Sequence, residues 1–101
     1  MNYEILGMFV GYWFMFFLGS LNIDNFLSYL FEFIWAYGGI SIIKILYYYR
    51  FRLIEFNLLF IAEIIIFFAK SKISNLKIII IQLVLLVIGS LVIKIRYKIN
   101  V

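Results

Sequence analysis

The stretch NLLFIAEIIIFFAK, residues 57–70, is apolar at almost every position around a single interior carboxylate, Glu63. No Pro or Gly interrupts it, so nothing in the covalent chain obliges the backbone to leave a helix. A helix of this composition belongs where water is scarce. Whether the chain as a whole lives in such a place depends on what flanks the stretch.

The flanking sequence repeats the pattern. The run that holds the stretch extends from Leu53 to Ala69 and also carries Glu55 and Asn57; Ile5 to Gly19 is uncharged; Phe26 to Tyr49 is broken only by Glu32 and, near its end, Lys44; Ile78 to Ile93 has Gln82 as its one strongly polar residue. A hydrocarbon core of ~30 Å takes about 20 helical residues, and each run approaches that length. Backbone in lipid must satisfy its own hydrogen bonds, and four segments are too few to close a barrel. These features predict an all-α integral membrane protein with three to four transmembrane helices, at about 4–20, 26–49, 53–69 and 76–94, forming a single transmembrane helical domain over 1–101 with no soluble domain.

The joins are of unequal clarity. SLNIDN (20–25) offers Asn22, Asp24 and Asn25 as turn and cap residues for the second helix, and KSKISN (70–75) offers Ser74 or Asn75 for the fourth. YYYRFR (47–52) has no Gly, Pro, Asn or Asp, so its two arginines must mark either a tight hairpin or a long continuous rod; the hairpin is the expectation. With all four helices crossing, Lys44, Arg50, Arg52, Lys94, Arg96 and Lys98 share one side and Lys70, Lys72 and Lys77 the other. That bias leans toward both termini facing the cytoplasm or matrix.

Composition sets further bounds. Of 101 residues 67% are hydrophobic, against roughly 45–50% in soluble domains, and the mean hydropathy of +1.14 excludes disorder. Ile, Phe, Tyr, Lys and Asn, all abundant here, are spelled by AT-rich codons, as in an organelle or a reduced bacterial genome. With no Cys and no His, this chain alone supplies no disulfide, no zinc site, no His-ligated haem and no imidazole base. No cofactor bound by this chain alone is expected, whereas lipid contacts are. The net charge of +4 is spread over helix ends rather than one face, which argues against nucleic acid. The opening MNYEILGMFVGYWFMFFLGS has no basic leader, so no cleavable address is expected.

Several positions stand out within the helices. Gly7 and Gly11 form a small-xxx-small pair; Ser28, Glu32, Ala36 and Gly39 make one small or polar stripe on the second helix; Gln82 and Gly89 do the same on the fourth. All are candidate packing faces, and packing faces imply protein neighbours. Glu32 and Glu63 are candidate proton-relay carboxylates, because an acid at mid-bilayer costs at least ~2.5–3.5 kcal/mol and is kept for pairing or for function. Each has an ordinary alternative: Glu32 lies two turns into its helix and reaches the interface, and Glu63 is two turns before Lys70 and within reach of a base on a neighbouring helix. Glu55, three residues after Arg52, reads as an interfacial cap or ion pair.

Small hydrophobic chains with one Glu in the second helix and another in the third resemble chain 4L of NADH:ubiquinone oxidoreductase, the three-helix subunit of the complex I membrane arm. Counted from the N-terminus, Glu32 and Glu63 match those two places and leave a fourth span over. In a second register Arg52, eleven residues before Glu63 with NLLF between, is similar to the loop and start of the family's second helix, and the last helix then carries Gln82 instead of Glu. The resemblance implies a subunit that is not catalytic alone, working in electron transport and proton translocation with other membrane subunits of a large hetero-oligomeric complex. It implies the mitochondrial inner membrane, with a bacterial inner membrane as the alternative. Two other readings remain open: a purely structural, supernumerary subunit of a respiratory or ATP synthase complex, and a small four-helix proton-coupled transporter similar to the multidrug-resistance type.

Overall fold

Four helices follow one another with short joins in a computed structural model that describes residues 2–23 and 25–96, with the side chains of Asn2 and Tyr3 left aside. They are α1 (Asn2–Ser20), α2 (Phe26–Tyr48), α3 (Ile54–Ala69) and α4 (Asn75–Arg96), with a single 3-10 turn, Lys70–Lys72, between the last two. Their ends fall within two residues of the sequence expectation. Asp24 and Lys98 lie outside the described residues. At 1.5 Å per residue, α2 and α4 are about 33–35 Å long, and both are long and apolar enough to cross a membrane. The apolar part of α1, Glu4–Ser20, and the 16-residue α3 are shorter.

The helices run antiparallel in sequence order. Asn22, in the first loop, donates through Nδ2 to the carbonyl of Lys70 at 2.6 Å, and its own backbone N–H and C=O pair with the Asn75 side chain at 2.8 and 2.9 Å. The α1–α2 and α3–α4 joins are thereby tied at one end of the bundle. At the other end Arg96, in the last turn of α4, clamps Glu55 in the first turn of α3 with one nitrogen at 2.9 and 3.0 Å from its two oxygens. Glu55 does pair, with Arg96 rather than with the nearby Arg52. Arg52 contributes its backbone carbonyl to the same guanidinium at 3.1 Å.

The YYYRFR join is a hairpin. Phe51 N–H bonds back to the Leu46 carbonyl at 2.7 Å and Arg50 N–H to that of Tyr47 at 3.1 Å, the paired bonds of a Schellman helix stop. This stop normally uses Gly at its left-handed residue, yet here Arg50 (φ 53°) and Phe51 (φ 60°) both take that conformation. Each costs about 1–2 kcal/mol, offset by the two closing bonds and by Asn57, whose Nδ2 holds the Phe51 carbonyl at 3.2 Å. The turn forms without any turn-favouring residue because its backbone donors and acceptors are otherwise met.

The interior is narrow and aromatic. Each helix buries one stripe at roughly 3.5-residue spacing: Phe9, Trp13, Phe16 and Ser20 on α1; Gly39, Ile42 and Leu46 on α2; Phe56, Leu59, Glu63 and Ile66 on α3; Ile78, Gln82 and Ile93 on α4. α1 touches all three others, with α2 and α4 on its two flanks. Edge-to-face rings knit the centre, Phe9 on Phe56 at 5.8 Å and Phe16 on Trp35 at 5.4 Å, while Trp35 lies against Phe67 at 4.4 Å. Far more large apolar side chains point outward than inward among the described residues, Phe33, Leu58, Ile65, Phe68 and Val87 among them.

Glycines set how closely the helices approach. A Cβ on Gly19 would fall on the Cβ of Trp35, and one on Gly89 would enter the Phe9 ring; Gly38 lies against Met15. Gly7 and Gly11 have nothing within 4 Å. Gly19→Ala must therefore separate α1 from α2, and a loss of about 1–3 kcal/mol is expected in detergent-based reversible unfolding followed by helical circular dichroism. Gly11→Ala should leave the same curve unmoved. Equal losses from the two would show that Gly19 does not meet Trp35.

Candidate functional site

Ser20, Glu63 and Gln82 come from three helices and meet in the interior, all fully buried. Their placement follows from the stripes: each occupies a core position in register with the aromatics of its own helix. Glu63 follows Leu59 by one turn and precedes Ile66 by another. Six residues separate Glu63 from the end of α3, and seven separate Gln82 from the start of α4, so the cluster lies about 10 Å in from that end.

One amide organises it. Gln82 Nε2 donates to Glu63 Oε1 at 2.5 Å and to Ser20 Oγ at 3.1 Å, which uses both of its hydrogens. Ser20 Oγ donates in turn to the Phe17 carbonyl at 2.8 Å, leaving its lone pairs to receive the amide. The direction of every bond is thus fixed by supply and demand. Trp13 adds a clamp on the same helix, its indole N–H donating to the backbone carbonyl of Gln82 at 2.8 Å.

Two acceptors remain without a donor, Glu63 Oε2 and Gln82 Oε1. Among the described residues no cation pairs with Glu63. The hydrogen-bond inventory therefore has room for one further proton or a donating ligand atom, and an unmet buried acceptor costs about 1–3 kcal/mol. Trp35 Nε1 is the other buried side-chain group without a partner among the described residues.

Glu32 is in a different place. Its Oε1 pairs with Lys70 Nζ at 3.0 Å, and the carboxylate is about half exposed. The same ammonium takes the Gly19 carbonyl at 3.2 Å and lies 4.6 Å from the centre of the Phe67 ring. Lys70, the base that the spacing offers to Glu63, serves Glu32 instead. The two candidate carboxylates are joined only at one remove: Lys70 holds the carbonyl of Gly19, and the next residue, Ser20, holds Gln82.

The packing candidates also separate. Gly39 is buried beside Phe60 and Trp35, Ser28 is half-buried, and Ala36 faces outward. Gly89 lies beneath Phe9, whereas Gly7 and Gly11 are exposed and a Cβ on either would meet nothing within 4 Å among the described residues. Sequence reasoning missed Ser20 as a partner, along with Gly19 and Gly38. Ser20 looked like loop, although its 3.5-residue register with Phe9, Trp13 and Phe16 was there to be read.

No known family, characterised protein or solved structure matches this chain. The site is therefore interpreted from its own chemistry. Among the described residues no three acids gather where a metal ion would sit. The arrangement suits holding and exchanging a proton on a sequestered carboxyl, or locking three helices in register.

Replacements at the cluster distinguish its parts. Glu63→Gln keeps the acceptor used by Gln82 and adds a donor for the unmet amide oxygen, so stability should be unchanged or higher. Gln82→Leu strands the Glu63 carboxyl and should cost about 2 kcal/mol or more at neutral pH. In the Glu63→Gln background, Gln82→Leu should cost less. A thermodynamic cycle of the three variants, read from unfolding in detergent, gives the coupling; no coupling would mean that the two side chains do not meet.

Proposed function

We propose that all four helices cross a membrane, and that the chain is a small integral subunit of a multi-subunit respiratory complex of the complex I membrane-arm type. Its contribution is helix packing together with one intramembrane carboxyl, Glu63. The observation that carries this reading is the inversion of the molecule: an exterior of Phe, Ile, Leu and Val surrounds a carboxylate that pairs with no cation among the described residues. A monomer in water rarely tolerates contiguous apolar patches beyond a few hundred Å². In lipid the same surface is the ordinary one, and the acid is the exception.

Further features support the assignment. The long axis of 41 Å matches the ~40–45 Å of a bilayer with its headgroups. Cations gather at both ends of the bundle, and Lys70 binds its acid where α3 emerges. The resemblance to chain 4L is best served by the register that starts at Arg52, since its two decisive positions, Glu63 and Gln82, are side by side. Glu32, half exposed and ion-paired, is the weaker relay candidate. Gly7, Gly11 and Ala36, outward-facing on α1 and α2, offer faces for helices of other subunits.

The organelle follows from the same resemblance, the mitochondrial inner membrane before a bacterial one. A proton-coupled transporter of the multidrug-resistance type works through a Glu in its first helix, and α1 carries only Glu4, at its edge.

Tagged chain extracted in mild detergent should bring down redox subunits, and Gly7→Leu with Gly11→Leu should weaken that capture without altering the helicity of the chain. Recovery as a stable homo-oligomer, free of redox partners, would sink the proposal. Within the captured complex, Glu63→Gln should lower the number of protons moved per electron pair. Unchanged stoichiometry would reduce the chain to a structural subunit.

A further inference from the structure

The end of the bundle that carries the α2–α3 hairpin holds more positive charge than it neutralises. Arg96 is engaged by Glu55, and Glu4 stands exposed on the first turn of α1. Lys44, Arg50, Arg52 and Lys94 have no ion pair among the described residues. Unpaired cations at a helix end are common. Here the hairpin gives them a shape.

Lys44 precedes Tyr47 by three residues and Tyr48 by four, so the three share one side of α2. The left-handed pair Arg50 and Phe51 then turns the chain beside that side. The result is a bowl of about 690 Å³ lined by Lys44, Tyr47, Tyr48, Arg50 and Phe51. A second depression, about 240 Å³, shares Tyr48 and Arg50 and adds Tyr49 and Arg52. No acid lines either one. The ammonium, the guanidinium and the tyrosine hydroxyls around the bowl make no side-chain hydrogen bond among the described residues.

The backbone beneath the bowl is held in place. The Schellman bonds and the Asn57 side chain fix the hairpin backbone. Lys44 lies about 6 Å down the helix from Tyr48, a depth from which a lysine extends toward the helix end. Below it on the same face, Ile40 and Tyr37 are 58% and 59% exposed and form an apolar track leading away from the bowl. An ion free in water has no use for such a track, whereas a molecule with a charged head and an acyl tail fills both parts.

We propose that this bowl binds the phosphate of an anionic phospholipid between Lys44 and Arg50, with an acyl chain lying along Ile40 and Tyr37. The site rests on the reading that α2 crosses a membrane. It would give the chain a lipid preference and hold this end of the bundle at the headgroup level of one leaflet.

The test uses the full chain in mild detergent with equimolar phosphatidylglycerol and phosphatidylcholine, the retained lipid being counted by native mass spectrometry. Phosphatidylglycerol should be preferred about 10–30-fold, as two cations near a headgroup allow. Lys44→Gln with Arg50→Asn should bring the ratio near parity; asparagine tolerates the left-handed backbone, so the hairpin survives, and circular dichroism checks this. Lys72→Gln with Lys77→Gln removes equal charge from the opposite end and should keep the preference. Equal retention of both lipids by the native chain, or equal losses from the two double variants, overturns the site. Displacement of the lipid by inorganic phosphate overturns the lipid as occupant and leaves a simple anion site. In vesicles of either lipid, release of the chain by alkaline carbonate would defeat the membrane reading itself; retention without lipid preference would defeat the headgroup site alone.

Discussion

The amide of Gln82 is the point on which the bundle is registered. Its two hydrogens go to oxygens on two other helices, Ser20 on α1 and Glu63 on α3, so α4 cannot slide by a turn without breaking both. The aromatic core allows more freedom than this. Rings such as Phe9 and Phe56 can repack with neighbouring apolar groups at modest cost, and lipid offers no hydrophobic penalty for separating helices. A short polar connection in a dry interior is directional, and its failure leaves acceptors unmet. The Trp13 indole bound to the backbone of the same glutamine reinforces that register from α1.

The ends of the bundle are fixed by a different chemistry. At one end the Asn22 and Asn75 side chains cross between loops with four hydrogen bonds, and at the other Arg96 joins α4 to α3 through Glu55 and the Arg52 carbonyl. The Arg96 guanidinium is partly exposed, but the Glu55 carboxylate it holds is buried. The value of these contacts is in placing the joins. With the ends held, the small residues at Gly19, Gly38 and Gly89 bring the helices together against Trp35, Met15 and Phe9.

Much of this was legible in the residues. Helix class and boundaries came from the apolar runs, and the hairpin from two arginines that no apolar rod would hold. Asn25 caps α2 with its side-chain oxygen on Leu27 N–H, as the loop composition suggested. What one sequence does not show is which outward or inward face meets which neighbour. Lys70 and Glu63 are seven apart on one helix, yet the lysine turns to Glu32 because α2 passes beside the end of α3. Gln82 was visible as the polar residue of the last run, but its partners depend on the crossing of three helices. The glycines divide in the same way: Gly11 and Gly89 look alike in sequence, and only packing puts one against Phe9 and the other in the open.

A proton role for Glu63 meets a specific physical obstacle in this arrangement. The route from the Lys70–Glu32 pair inward passes through the Gly19 carbonyl, the Ser20 hydroxyl and the Gln82 amide. A hydroxyl passes a proton by exchanging one for another, but a primary amide does so only through an unfavourable tautomer. The amide is a plug between Ser20 and Glu63, and it holds the carboxyl in place while closing off that approach. A proton arriving by way of Ser20 would need the Gln82 side chain to swing aside, breaking two hydrogen bonds at once. The two unmet oxygens, Glu63 Oε2 and Gln82 Oε1, already weaken the closed arrangement relative to a fully satisfied one. A proton arriving at Oε2 gives the site its missing donor, and a proton leaving restores the deficit. Protonation of Glu63 and the position of Gln82 are therefore coupled. Because Gln82 bonds to both Ser20 and Glu63, a change at the Glu63 carboxyl bears on the register of three helices at once.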